Sequence, residues 1–289
     1  MKGFIKNILW ATDFSVEGQE ALFYADIFAK NFSAQITALH VTPDFGLALY
    51  EKYPMIQSEI GRRAQTLISK AQTRINSAGE KRGVTFKKVI ITDGSAGKKI
   101  IEAAETEKAD LIVMGKTGQS ALERILIGSA ANHVLRHSPV PVLVTKKSKK
   151  NFDIKKILVP TDFTKEEDVE RDFALRVAKE FDASITLLYV LELYGHEFRM
   201  VDQMFKTVLE KFKEREERIG KGVPVTKDVV RAITAPVGIS GYARAKRFDL
   251  IVMATCASGL GRFFLGSTTE KVISYTNLPV LALPPKYGA

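Results

Sequence analysis

The chain of 289 residues is long for one compact core and comfortable for two of about 145 residues each. Its 45% hydrophobic and 26% charged residues are those of an ordinary globular protein, and no apolar run approaches the roughly 18 residues of a membrane helix. The formal net charge of +10 raises nucleic acid as a partner. The charges are scattered over both halves, however, and the densest run, Lys146-Lys147-Ser148-Lys149-Lys150, falls between them without interleaved aromatics. It reads as a solvated linker, and nucleic-acid binding is not expected. The single cysteine, Cys256, excludes an intramolecular disulfide and points to a reducing cytoplasm. Met1 to Trp10 carries two lysines but no long apolar region, so it reads as a first strand rather than a signal peptide.

In chain order, Ile5–Ala11 is predicted as a strand, followed by a turn at Asp13-Phe14-Ser15 with capping residues. Val16–Asn31 shows helical apolar spacing at Ala21, Tyr24, Ala25 and Phe28, and Gln35–Val41 is a second strand. A longer helix is expected over Met55–Ala78, ending at a turn with Gly79 and Gly83. Then follow a strand at Phe86–Ile91, a helix at Lys98–Glu107 and a short buried strand at Leu111–Met114. A helix at Ser129–Arg136 and a last strand at Val140–Thr145 complete the set. Strand and helix alternate throughout, which predicts a parallel, doubly wound sheet with right-handed crossovers.

The whole series then returns. Lys6-Asn7-Ile8-Leu9-Trp10-Ala11-Thr12-Asp13-Phe14 recurs as Lys155-Lys156-Ile157-Leu158-Val159-Pro160-Thr161-Asp162-Phe163, and Gln35–Val41 recurs as Ser184–Val190, both 149 positions on. Asp110-Leu111-Ile112-Val113-Met114 recurs as Asp249-Leu250-Ile251-Val252-Met253, only 139 positions on, so the second copy is shorter in its middle. Met200–Ile219 reads as its long helix. Two homologous domains in tandem, 1–147 and 148–289, are expected, each with strand order 3-2-1-4-5. In such sheets ligands sit outside the carboxyl ends of the strands, where the order switches. Asp13, Val41 and Gly115 converge there.

The stretch with chemistry in it follows the fourth strand. Gly115 and Gly118, nine intervening residues, and then Gly128-Ser129 opening a helix spell G-x2-G-x9-G-S. Glycines after a strand let backbone amides approach an anion without an intervening Cβ. A helix N-terminus with a hydroxyl favours negative charge. The reading is an adenine-nucleotide site.

This spacing, with the strand before it and the helix after it, resembles the nucleotide-binding loop of the universal stress protein family, and the resemblance extends over both copies. It implies a Rossmann-like fold of the adenine-nucleotide alpha-hydrolase-like kind and ATP, with Mg²⁺, as the ligand of the first domain. Carried over by position, Asp13, after Ala11 and Thr12, would hydrogen-bond or orient the adenosine part, and the Val41 backbone would read the adenine edge. Gly115, Lys116, Thr117 and Gly118 would wrap the ribose and phosphates, with Gly128, Ser129 and Ala130 closing on the phosphates. Lys116 would either add charge at a terminal phosphate or be solvated. Asp13 also reads as an N-cap for the first helix. Last strands of single-domain relatives pair across a dimer axis, which implies an intramolecular pseudo-dimer and a possible homodimer.

The second copy departs from the pattern. Met253-Ala254-Thr255-Cys256-Ala257 replaces the glycines, and the interval to Gly266-Ser267-Thr268 is one residue shorter. Methyl groups where backbone approaches phosphate, or where φ > 0 is needed, predict a weak or empty second site, although Asp162 is retained. Gly115-Lys116-Thr117 is not the end of a P-loop, because Asp110 stands where that motif needs glycine, and Gly94–Lys98 has the wrong spacing. His133 and His137 share a helix face but lack a third metal ligand. Cys256 is read as an inert thiol. No nucleophile–base–acid set is visible and no catalytic residue or metal site is assigned. The expectation is an ATP-binding cytoplasmic stress-response regulator working through nucleotide-linked conformation. The alternatives are a weak ATPase or phosphoryl-transfer enzyme, and an interaction scaffold or small apolar-ligand binder.

Overall fold

The computed structural model describes residues 4–42, 60–118, 127–146, 153–163, 167–192, 201–214, 222–255 and 265–284. The chain divides into two compact units, Met1–Ser148 and Lys149–Ala289. Unit 1 runs β1 (Asn7–Thr12), α1 (Val16–Phe32), β2 (Gln35–Thr42), α2 (Ile60–Arg82), β3 (Phe86–Asp93), α3 (Ala96–Thr106), β4 (Leu111–Gly115), α4 (Ser129–His137) and β5 (Val142–Thr145). Its strands lie in the order 3-2-1-4-5, all parallel. Unit 2 runs β6 (Lys156–Thr161), α5 (Glu167–Phe181), β7 (Ser184–Glu192), α6 (Val201–Glu214), β8 (Val225–Ala232), α7 (Ala235–Ala245), β9 (Leu250–Ala254), α8 (Ser267–Tyr275) and β10 (Val280–Leu283). The order is again third, second, first, fourth, fifth, and parallel. Among the described residues no helix is long and apolar enough to cross a membrane.

Each unit is doubly wound because its central strands are apolar on both faces. Leu111 to Met114 are all buried, as are Leu250 to Met253. In unit 1, α1 lays Ala21, Leu22, Tyr24, Ala25, Phe28 and Phe32 onto the sheet. Full burial of such a Leu or Phe stabilises by roughly 1.5–3 kcal/mol before conformational entropy is charged against it. Trp10 is wholly buried, stacks on Phe86 with ring centroids 5.6 Å apart and donates its indole N–H to the Gly18 carbonyl at 2.9 Å. A buried indole needs that acceptor.

The repeated Asp before the fourth strand proves to be a backbone clamp. Asp110 Oδ2 accepts from the amides of Lys6 (2.7 Å) and Asn7 (2.9 Å), tying the entrance of β1 to that of β4. Asp249 does the same for Lys155 (3.0 Å) and Lys156 (2.9 Å) in unit 2. Both are charge-assisted bonds to amides that start a strand.

Several boundaries differ from the sequence reading. Helix α2 runs through Gly79 to Arg82, past the expected stop at Ala78; residues 55–59 of the expected helix lie outside the described residues. Gly79 is a packing glycine, since a Cβ there would fall 2.8 Å from the Phe86 ring and the Val84 carbonyl. The chain turns instead at Gly83, whose φ of +67° is left-handed. Strand β3 extends to Asp93 and α3 starts at Ala96. Helix α6 spans Val201–Glu214, and residues 215–219 lie outside the described residues.

Replacing Asp110 by Ala leaves two strand-entrance amides without their carboxylate. The expected loss is roughly 1–3 kcal/mol for unit 1, read as a lower urea midpoint with the Asp249→Ala variant as its counterpart in unit 2. An unchanged midpoint would show that solvent replaces the clamp.

Candidate functional site

A cleft of about 1030 Å³ opens at the carboxyl ends of β1, β2 and β4 in unit 1. Ala11, Thr12, Asp13, Val41, Gly115, Lys116, Thr117, Gly118, Gly128, Ser129 and Ala130 all line it. The sheet brings them together through register: Ala11 is paired with Leu39 on one side and Met114 on the other, so the chain leaves β1, β2 and β4 at one level. This is the point where the strand order switches.

After β1 the chain makes a tight, unusual turn. Thr12 Oγ1 accepts from the Phe14 amide at 3.0 Å, and Phe14 sits at φ +63°, a left-handed conformation rare for a bulky residue. Asp13 is not the cap of α1. That role belongs to Ser15, whose Oγ accepts from the Gly18 amide at 3.0 Å. Asp13 Oδ1 accepts in turn from the Ser15 amide (3.0 Å) and hydroxyl (2.6 Å). A Cβ on Gly18 would fall 2.8 Å from Asp13 Oδ1, and a Cβ on Gly118 would fall 2.7 Å from Asp13 Oδ2. Two glycines from different elements therefore make room for one carboxylate.

The glycine loop is closed by backbone contacts. Lys116 donates its amide to the Thr145 carbonyl at 2.7 Å and accepts from the Gly128 amide at 2.9 Å, so the two ends of the loop are joined. Gly115, Gly118 and Gly128 do not adopt left-handed conformations; close approach favours glycine at Gly115 and Gly118, whereas a Cβ on Gly128 would come no nearer than 3.3 Å. A Cβ on Gly115 would meet the α1 backbone at Glu17 and Gly18 at 2.9 Å, where neither partner can yield. Gly128 is the N-cap of α4 and offers no side-chain cap to the first turn, which leaves the dipole end uncovered by a side chain.

One expectation needs correcting. Lys116 is not solvated beside the loop: its side chain is 1% exposed. Burial, with a smaller contribution from Lys146 and against the pull of Glu17, lowers its pKa to about 8. Thr117 is already engaged, since Glu17 Oε2 accepts from its amide at 2.8 Å and from its hydroxyl. A contribution from Thr117 to a bound anion requires Glu17 to release it.

The sequence reading passed over His40, Arg74 and Glu17 and took Phe14 only as part of the turn. His40 Nδ1 lies 2.8 Å from the Thr12 carbonyl, so that nitrogen carries the proton and donates. Its ring stacks at a tilt on Phe14, 4.3 Å between centroids. Burial lowers the His40 pKa, opposed by the Thr12 hydrogen bond and Asp13 and assisted by Arg74. Arg74, on α2, lays its guanidinium over the Phe14 ring at 4.1 Å. The predicted turn at Asp13-Phe14-Ser15 and the recurrence of Thr-Asp-Phe in both copies pointed to this place, but not to the side chains that surround it.

Unit 2 keeps the frame of the loop with different side chains. Thr255 donates to the Leu283 carbonyl at 2.8 Å, and its carbonyl accepts from the Gly266 amide, as at Lys116. Ala254 therefore fits at the end of β9, and Thr269, at the level of Ala131, bonds the Ala254 carbonyl at 2.6 Å. Cys256 and Ala257 lie outside the described residues. His133 and His137 stack on each other at 4.2 Å, and His137 Nδ1 lies 2.8 Å from the His133 carbonyl. His133 packs against Gly97 between α3 and α4, and the described residues hold no group of three or more potential metal ligands.

Fold and cleft thus define a tandem pair of doubly wound α/β units, the first with a glycine loop at its switch point. The model of the universal stress protein family matches residues 5–146 and again 153–284, and the chain belongs to that family. Universal stress protein MJ0531 of Methanocaldococcus jannaschii is 37% identical over 148 residues, covering 50% of this chain and 84% of that protein. Universal stress protein MJ0577 of the same organism is 30% identical over 154 residues, covering 49% of this chain and 95% of its own. The crystal structure of a universal stress protein from Archaeoglobus fulgidus superposes with a TM-score of 0.65 at 25% identity, covering 96% of each chain. The tandem arrangement is therefore shared over the whole length.

Below about pH 8 folded and unfolded chains both hold the Lys116 proton, and the cost of burying the charge is present in full. From there to its ordinary value of 10.5 only the unfolded chain keeps it, so stability rises with pH across this window. Lys116→Met should therefore stabilise unit 1 at pH 7 by on the order of 2–3 kcal/mol, an advantage that shrinks toward pH 10. Denaturant melts at both pH values check this; a pH-independent difference would contradict a buried charge.

Proposed function

We propose that unit 1 binds ATP, with Mg²⁺, in the cleft at the ends of β1, β2 and β4, and that the protein acts as a cytoplasmic regulator through nucleotide-linked conformation. The observation that carries this reading is the junction of the glycine loop with α4. Gly128, the bare N-cap of α4, is hydrogen-bonded to Lys116. That aims a helix N-terminus into a cleft whose described charged lining is Lys70, Arg74 and Lys116 against one carboxylate, Asp13. A helix N-terminus and an excess of cations suit an anionic ligand. The volume accommodates a nucleotide, and family membership supports the same class of ligand.

In this reading the two ends of the ligand would lie on different sides of the cleft. The β1–β2 side, with Asp13 and Val41, would take the adenosine. The β4–α4 side, with Gly115, Gly118, Gly128, Ser129 and Ala130, would take the phosphates. Contacts to the ligand at Gly115–Gly118 and at Gly128–Ser129 would alter the surface seen by a protein partner or a second copy of the chain. Unit 2 has Ala254 and Thr255 in place of Gly115 and Lys116 and would bind weakly or not at all.

Calorimetric titration with ATP and Mg²⁺ tests the reading. One site per chain is expected, weakened at least about tenfold in Gly118→Ala, because the added Cβ would displace the Asp13 carboxylate. Two equal sites would overturn the asymmetry between the units. Absence of binding at millimolar ATP would overturn the nucleotide reading itself.

A further inference from the structure

Phe14 is held in its left-handed conformation with its ring buried and covered by two planar groups. His40 lies at 4.3 Å and the Arg74 guanidinium at 4.1 Å. Arg74 also donates from Nη2 toward the Phe14 carbonyl at 3.5 Å, which adds a second restraint. Yet Arg74 is an exposed residue of the cleft wall, on the same face of α2 as Leu67, Lys70 and Ala71. Its guanidinium carbon therefore stands over the Phe14 ring while the residue lines the cleft and stays exposed. It does so beside Phe14 and His40, the residues that follow β1 and lie on β2.

We infer that Arg74 is a base-stacking platform: the purine ring of the bound nucleotide lies on the outer face of its guanidinium, completing a Phe14–Arg74–purine stack. This rests on the nucleotide reading above. A planar, delocalised cation stacks on aromatic faces, and bases stack on arginine planes as they do on aromatic rings. A free arginine side chain loses rotamer entropy when it stacks, whereas Arg74 is already held over Phe14 by the ring and by the Phe14 carbonyl. The left-handed turn at Phe14 thereby acquires a purpose, since it is the turn that presents the ring to α2.

Unit 2 supplies an internal contrast. Phe163 repeats the turn at φ +61°, with its amide 3.1 Å from Thr161 Oγ1, and Tyr189 replaces His40 at 5.1 Å. The cation is now Lys211, its ammonium 5.5 Å from the ring, and Phe212 packs edge-on at 4.9 Å. An ammonium offers no plane for a base. The adenosine end of unit 2 is thus altered along with its phosphate end, although Asp162 is retained.

The test compares the full chain with its Arg74→Lys variant, which keeps the charge and loses the plane. ATP, adenosine and inorganic tripolyphosphate are the three ligands. Arg74→Lys should weaken ATP and adenosine by the same factor, on the order of tenfold, and leave tripolyphosphate unchanged. Weakened tripolyphosphate with unchanged adenosine would make Arg74 a phosphate cation and overturn the inference, as would unchanged affinity for all three. Wild-type protein that binds neither ATP nor adenosine overturns the nucleotide reading first. In wild-type protein the nuclear Overhauser effects between the Arg74 side chain and purine H2 or H8 give a second readout; their absence in an ATP complex also overturns it.

Discussion

The arrangement of unit 1 depends on the space given to one carboxylate. Asp13 leaves β1 into a gap that exists only because Gly18, in the first turn of α1, and Gly118, after β4, both lack a Cβ. The same economy operates at the end of β4, where Gly115 lies against the α1 backbone. The end of β1, the first turn of α1 and the end of β4 thus meet with only the Asp13 carboxylate between them. The cleft is what remains above their junction. A methyl at Gly115 could be absorbed only by moving the α1 backbone, and one at Gly18 or Gly118 only by displacing the Asp13 carboxylate, which accounts for glycine at these positions without any left-handed φ.

The turn after β1 is the second constraint. Thr12, Asp13, Phe14 and Ser15 each have a separate duty: Thr12 caps the turn, Asp13 holds Ser15, Ser15 caps α1, and Phe14 carries the strain. A left-handed Phe costs on the order of 1–3 kcal/mol, and its persistence in both units argues that the surroundings over-determine it. In unit 1 those surroundings are His40 and Arg74; in unit 2 they are Tyr189, Lys211 and Phe212. One backbone device therefore carries two different side-chain settings. The divergence of the copies is chemical rather than architectural.

Much of this was legible before any coordinates. The buried run Leu111–Met114, the glycines after it and the doubled Thr-Asp-Phe strand end carry the fold class, the strand order and the position of the cleft. What stayed hidden depends on contacts between distant segments. Nothing in the spacing of α2 distinguishes Arg74 from its solvated neighbours until that helix is laid against the end of β1. Burial of Lys116 was equally invisible, because a lysine beside two glycines reads as a surface residue; only the pairing of its amide with Thr145 carries it inward. Gly79 misled for the opposite reason: it was read as helix punctuation, whereas it admits the Phe86 ring. Asp110 was visible as a repeat but not as a clamp.

The central claim is that one nucleotide binds at the glycine loop of unit 1 and leaves the equivalent loop of unit 2 untouched. Backbone amide resonances report on it residue by residue. On addition of ATP and Mg²⁺, the account predicts shifts concentrated at Gly115, Gly118, Gly128, Ser129 and Ala130, with Thr255, Gly266 and Ser267 unmoved. Equal shifts at both loops, or shifts confined to residues away from them, would contradict it.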